Sequence, residues 1–547
     1  MINIQKIQLL VLLAAMAIMP GLRASNVQVT NISQHNVDAD NHRISFDLQW
    51  DNSWRVDNQE PNNYDGVWVF IKFRDCLDKA GGSPGDYSHC WISTTVGDHT
   101  IDASTVDGSS MALDTELGLT SVGGTDRGMG LFIYQPAGDR TGTVIADSVS
   151  ILWKSGLQGE NSTLNSFDIQ VVAIEMVYVP TSPFYLGDGT SNYYFRNPTD
   201  GNKPIYVDQA AMDFEAAAGG LYQLTPGSAT PNVSNTFPNG YDGFWTMKYE
   251  ISQEQYMQFL NTLSRTTQNY RIATNVTAAT SNVSNVYVMS DNASRQDRNA
   301  IVCEPIVPVG GEPLVFHMDY NGNRVYNEAD DGASIACNYL SAHDIMAYLD
   351  WAALRPITEF EFEKMGRGPY KSSYGYTDQK AWGTVEVTEV TGIANPGTAT
   401  EAPTNSGDGI CVFNDNSSVG GPMRCGFASD AATPDRYSCG ASYYGIFELS
   451  GNVQEPYWGL WNNTTSDDNF SGESGDGILN ETGDANETTW PQGADGSGTT
   501  STFMYYRGGD LQSTNPDELN ISFRDGWGPT TQRYSYTGGR GGRYSDR

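Results

Sequence analysis

Paired thiols, histidines and positive charge are all scarce in this chain. It has seven cysteines, none in a Cys-x-x-Cys spacing and none after Cys439, and six histidines scattered over 547 residues. Zinc sites built from Cys and His therefore have little support. Lys and Arg number 31 against 65 Asp and Glu, a formal charge of −34. So acidic a chain excludes nucleic acid as a partner, because phosphates must be neutralised by basic side chains. Much of the acid lies in Gly/Ser/Thr/Asn-rich stretches, notably Asn462 to Thr500, where a solvated surface and cation binding are both open readings. Long apolar runs are missing too. The only sizeable one, Ile7 to Met19, is shorter than the ~20 residues a bilayer crossing needs, and nothing later approaches that length.

What is present begins with an export signal. Lys6 precedes the apolar run, and Leu22-Arg23-Ala24 ends in a small residue before Ser25, which reads as a cleavable secretory peptide over residues 1–24. The mature chain then loses Lys6 and Arg23 and no acid, and no transmembrane segment remains. Secretion or display at a bacterial cell surface is the expected location. In an exported chain seven cysteines permit up to three disulfides with one left over. Cys76 with Cys90, Cys303 with Cys337 and Cys411 with Cys425 are plausible pairs, and the connectivity stays open.

The fold class expected is mainly β with α+β character, in two domains. Over residues 25–175 the pattern has period two: Ile44, Phe46, Leu48 and Trp50 alternate with polar residues. Val67, Val69, Ile71 and Phe73 point one way, with Trp68 and Phe70 on the other face. Further strands are expected at 130–134, 143–153 and 167–179, separated by Gly/Asp/Asn turns, the pattern of a β-sandwich. Over residues 176–547 three helices start at capping boxes: Ser252 with Gln255, Ser341 with Asp344, and Thr358 with Glu361. The third ends at Gly366 or Gly368.

A series of motifs runs through this second region. Met176-Val-Tyr-Val-Pro180 is followed by Phe184 and Gly187, then Met247-Lys-Tyr-Glu-Ile251 and Leu354-Arg-Pro-Ile-Thr-Glu-Phe-Glu-Phe-Glu363. Tyr444-Gly-Ile-Phe-Glu-Leu-Ser-Gly-Asn-Val-Gln-Glu455, Arg507-Gly-Gly509 and Gly539-Arg540 complete it. In this order the series resembles the formylglycine-generating enzyme (sulfatase-modifying factor) family. The resemblance implies a loop-rich relative of the C-type lectin fold in residues 176–547. It also implies two cysteines after Arg-Gly-Gly that bind copper and activate oxygen, which requires soft thiolate ligands. Here those positions carry Ser513 and Glu518, so copper is not expected and the domain reads as catalytically silent. The same resemblance implies that Arg507 and Arg540 pair inside the fold. It further implies a structural calcium held by Glu448, the carbonyls of Gly451 and Val453, and Glu455. The alternative for Glu455 is a buried carboxylate satisfied by backbone N–H groups or an arginine.

A second oxygen-rich segment stands on spacing alone. Asp319, Asn321, Asn323, Asn327 and Asp330 fall at loop positions 1, 3, 5, 9 and 12, with the Val325 carbonyl at position 7. That is the ligand spacing of an EF-hand or dockerin calcium loop, although Arg324 replaces the usual Gly. An Asx-rich surface turn is the alternative. Near the C-terminus Tyr505, Tyr506, Trp527, Tyr534 and Tyr536 gather with Arg524, Arg533, Arg540 and Arg543, the residue types that binding surfaces favour. Trp527, Tyr534 and Tyr536 are the exposed candidates, and the acidic stretch Ser466–Asp495 is another surface or a loop. The expected function is binding or assembly at the cell surface, through a protein or glycan ligand or through self-association, with calcium as a structural ion. A metal-dependent oxidase with unrecognised ligands and a subunit of an extracellular fibre are the rival readings.

Overall fold

The computed structural model describes residues 26–545 apart from 76–86, 161–166, 189–194, 196–202, 210–235, 281, 284–285, 304–310, 370–377, 415–417, 430–434, 460–469, 491–502, 525–526 and 530. The expected signal peptide and Cys76 lie outside the described residues. Among the described residues ten strands come first: β1 (Gln28–Asn36), β2 (His42–Arg55), β3 (Asp65–Asp75), β4 (Ser88–His89), β5 (Thr100–Val106), β6 (Ser109–Ser110), β7 (Asp114–Val122), β8 (Thr125–Tyr134), β9 (Arg140–Trp153) and β10 (Phe167–Val179). One sheet has the order β1-β2-β9-β5-β6. The other is the antiparallel run β10-β3-β8-β7. Alternating side chains from the two meet in one core: Ile44, Phe46, Leu48 and Trp50 from β2 face Val67, Val69, Ile71 and Phe73 from β3.

β3 is buried on both faces, because the second sheet is itself covered. Its Trp68 and Phe70 point away from the sandwich into a second core with Trp245 and Trp351 from later in the chain. β10 makes the connection covalent. It pairs with β3 from Phe167 to Val177, while Met176–Val179 pairs with the strand Phe244–Met247, which pairs in turn with Gly542–Tyr544. One sheet thus runs from the sandwich into the second region and receives the C-terminus at its edge. The 175/176 position falls inside a strand.

The three helices start where their caps dictate. Gln253–Leu260, Ala342–Trp351 and Glu359–Arg367 follow the capping boxes of Ser252, Ser341 and Thr358, and Gly368 closes the third with φ of 75°. Two shorter helices, Arg265–Arg271 and Arg436–Cys439, carry no apolar stripe and were not evident from periodicity. The expected Cys76–Cys90 pair falls partly outside the described residues, and among the described residues no disulfide is formed: Cys90, Cys337, Cys411, Cys425 and Cys439 are buried free thiols, and Cys303 is buried as well. They pack as small apolar side chains inside the cores.

The seam holds a fully buried ion triad. Lys248 Nζ lies 3.1 Å from Asp65 Oδ2 and 3.1 Å from Glu175 Oε2, over the Trp54 ring. Burial disfavours its charge, but Tyr249, Glu175 and Asp65 together hold it protonated. Asp65 and Glu175 belong to the sandwich strands and Lys248 to the region beyond. Lys248→Ala strands two buried carboxylates and should cost about 3–5 kcal/mol. The triple variant Lys248→Met, Asp65→Asn, Glu175→Gln should recover most of that loss. Urea unfolding is expected to show a single transition for sandwich and second region alike; a loss under about 1 kcal/mol in Lys248→Ala contradicts this account.

Candidate functional site

The Arg-Gly-Gly corner is assembled from buried charge. Arg507 ends the strand Phe503–Arg507, paired on one side with Glu455–Tyr457 and on the other with Trp527–Pro529. Its guanidinium donates to Glu359 Oε1 at 2.7 Å and Glu363 Oε1 at 3.0 Å, both on the helix begun by Thr358. Arg524 donates to both Glu359 oxygens at 2.8 and 2.5 Å. Glu363 Oε2 in turn accepts the Gly187 N–H and Arg367. Gly508 is required here: its φ is 86°, and a Cβ would sit 2.7 Å from the Leu449 carbonyl oxygen.

Just beyond lie the two positions the resemblance assigns to thiols. Ser513 is buried, and its hydroxyl accepts the Asp510 N–H at 3.1 Å. Asp510 Oδ1 reciprocates by accepting the N–H groups of Gln512 and Ser513. The Ser513 carbonyl accepts from the Asn414 N–H. Ser513 is therefore a turn-forming residue. Glu518 sits half-buried on the short turn Pro516–Leu519. Burial pushes the Asp510 carboxyl up to about 6, opposed by those two N–H donors. Cys411, which packs with Leu519 beside this corner, has its thiol pushed up to about 12 by burial.

The C-terminal arginines turn inward. Arg533 pairs with Asp344 at the Ala342–Trp351 helix start. Arg540 grips Glu455, and Arg543 donates to the carbonyls of Ala353 and Leu119. What remains at the surface is aromatic. Tyr534 and Tyr536 are half-buried and stack with rings 5.1 Å apart and 9° from parallel. Tyr506 is buried, its hydroxyl without a hydrogen-bond partner. Trp527 lies on the strand beside Tyr505, and its side chain is outside the described residues.

The two expected calcium positions differ. In the Asp319 loop the residues fit a hard cation. Asp319 is fully buried, and its Oδ2 lacks a hydrogen-bond partner, with Arg324 Nη1 3.9 Å away. Asn321 and Asn323 point their amides at Glu328 and Asp330. Val325 N–H donates to Asn323 Oδ1. Asn327 is committed elsewhere, accepting the Met318 N–H at 2.9 Å. At the second position Glu455 does not fit, since both its oxygens accept from Arg540 and one also from the Tyr457 hydroxyl. The arginine alternative left open above is the one observed. Glu448 gives Oε1 to the Gly426 N–H, while its buried Oε2 has no hydrogen-bond partner. Gly451 and Val453 use their N–H groups on the Gly508 carbonyl and Glu250.

One acidic cluster was invisible to spacing. Carboxylate oxygens of Asp350, Asp476 and Glu487 lie within 4.8 Å of one another. Asp350 accepts the N–H groups of Asp476 and Asn486, and Lys72 of β3 donates to the Gly477 carbonyl. Most of the acidic stretch Ser466–Asp495 that is described is thereby docked against helix and sheet, with Phe470, Ala485 and Trp490 buried. Among the described residues no helix is long and apolar enough to cross a membrane.

A family model described as "Sulfatase-modifying factor enzyme 1-like domain" matches residues 216–540, more than half of the chain. The motif from Met176 to Gly187 precedes the matched stretch. No curated protein matches the chain.

Glu448 supplies a pH test of the corner. Burial pushes its carboxyl up from 4.5 to about 8, against Arg540 and the Gly426 N–H. A carboxyl raised on folding leaves stability intact below its unfolded value and lowers it as pH climbs towards the folded value, at no more than ~1.4 kcal/mol per unit. Glu448→Gln, measured in chelator, should therefore match the wild type near pH 4.5 and exceed it in melting temperature at pH 9. Parallel curves across that range contradict the assignment.

Proposed function

The chain belongs to the sulfatase-modifying factor family, and from that premise we propose that it is an exported, catalytically silent member. Its role in this reading is binding or assembly at a bacterial cell surface, with calcium as a structural ion in the Asp319 loop. The observation that carries the reading is the state of the two thiol positions. A serine hydroxyl is a hard, weakly acidic group and does not replace a Cu(I)-binding thiolate. Here it is also engaged by the Asp510 N–H, inside a turn that needs it. The buried Arg507–Glu359–Glu363 frame is kept around it, so the fold is preserved where the chemistry is lost.

Binding is assigned to the Tyr534–Tyr536 face, with Trp527, on the strand paired with Phe503–Arg507, as a further candidate. Amphipathic rings on irregular segments supply contact area at low entropic cost, and the neighbouring arginines are taken up internally. A protein or a glycan partner is compatible with such a surface, as is a second copy of the chain.

Incubation of the mature protein with a cysteine-containing sulfatase peptide, copper and oxygen should yield no aldehyde product by mass spectrometry. Turnover above a no-protein control overturns the silent reading. For the ion, a ligand bound only by the folded state at a hundredfold excess over Kd adds about 2.7 kcal/mol. Thermal melts in millimolar calcium should accordingly lie several degrees above those in excess chelator, and coincident melts of metal-stripped protein argue against calcium.

A further inference from the structure

The Asp319 loop departs from regular EF-hand spacing in a way that only the three-dimensional arrangement reveals. Carboxylate oxygens of Glu328, Asp330 and Asp331 lie within 4.8 Å of one another. Asp331, one position past the expected end of the loop, is fully buried. One of its oxygens accepts the Glu328 N–H at 2.8 Å and the other has no hydrogen-bond partner. Asp319, equally buried, also presents an oxygen without a hydrogen-bond partner. The Asp331 oxygen, and the Asp319 oxygen that faces only Arg324 Nη1 at 3.9 Å, are costly at full burial unless a cation or proton meets them.

The amides around the cluster converge on it. Asn321 Nδ2 donates to Glu328 Oε2 and Asp330 Oδ1 at 3.3 Å, and Asn323 Nδ2 donates to Glu328 Oε2 at 2.6 Å. Asn321 Oδ1 and Asn323 Oδ1 accept the N–H groups of Asn323 and Val325 at 2.9 and 2.6 Å, and each oxygen keeps a second lone pair for an ion. Asn327 faces another way. Its Oδ1 accepts the Met318 N–H, its backbone N–H donates to the Met318 carbonyl, and its Nδ2 meets His317 Nδ1 at 3.3 Å. It holds the end of the Ile301–Cys303/Phe316–Met318 hairpin.

We propose that this loop binds one calcium ion through a displaced ligand set, in which Glu328 and Asp331 join Asp319, Asn321, Asn323 and Asp330, and Asn327 takes no part. This rests on the calcium reading of the loop given above and revises its ligands. Four carboxylates and two amides are hard oxygen donors in an irregular loop, which suits the six to eight ligands and loose geometry of calcium better than the strict octahedron of magnesium. Bound there, the ion would also tie the loop to its seat, where Tyr320 packs on Gly397 beneath the Arg295 guanidinium 3.7 Å from its ring.

Calorimetric titration of calcium into the metal-stripped mature protein separates the possibilities. Asp319→Asn should remove one ion, and if it does not, the calcium reading of the loop itself fails. Given that loss, Glu328→Gln and Asp331→Asn should each weaken the same ion roughly tenfold or more, while Asn327→Ala leaves its affinity unchanged and lowers only the melting temperature. Glu328 is exposed, so Glu328→Gln should remain folded and is the deciding variant should Asp331→Asn fail to fold. Wild-type affinity in Glu328→Gln, together with loss in Asn327→Ala, overturns the displaced set and restores the regular spacing.

Discussion

Buried guanidinium–carboxylate pairs do in this fold what backbone ladders do in more regular ones. Beyond β10 the described strands are only two to five residues long, and apart from the short helices the described chain between them is loop. Loops carry backbone polar groups that need partners once buried. Arg507 and Arg524 converge on Glu359, Arg355 holds Glu361, Arg540 holds Glu455, and Arg298 holds Glu401, all nearly or fully buried. The spare N–H groups then bind loop carbonyls: Arg540 reaches Phe447, and Arg507 reaches Ile521. A buried ion pair contributes little net stability compared with apolar packing, but removing one partner is severe. Such pairs fix which loop lies where, and that is what an irregular domain most needs.

The same constraint explains why the sandwich and the second region form one body. β3 is apolar on both faces and would expose Trp68 and Phe70 without the later chain. Trp68 also donates from its indole to the Ala352 carbonyl, and Arg543, near the C-terminus, reaches back to Leu119. Ser513 and Asp510 are locked in mutual hydrogen bonds just beyond the Arg-Gly-Gly corner.

Local signals were legible in the sequence. Ser252, Ser341 and Thr358 each announce a helix within four residues, and alternation in β2 and β3 marks both strands and, for β3, both buried faces. Arg507 and Arg540 were readable as internal because they belong to ordered motifs. Long-range signals were not. Asp350 meets Asp476 across 126 positions, and no local pattern links them. Seven cysteines suggested bridges, yet each described one is buried and packed with apolar side chains, because burial of a small apolar side chain leaves the same trace in sequence as a disulfide. Asn327 satisfied the calcium spacing while serving a hairpin, since spacing does not say where a side chain points. The helix Arg265–Arg271 escaped notice because its buried residues, Arg265, Thr267, Gln268 and Arg271, are polar.

The central claim is that a family oxidase fold persists here as a calcium-braced scaffold without its metal chemistry. Anomalous-scattering crystallography on crystals grown with both calcium and Cu(I) tests it most directly. The account predicts a calcium peak among Asp319, Glu328 and Asp331 and none from copper between Ser513 and Glu518. An ordered copper ion bound at Ser513 and Glu518 would contradict it.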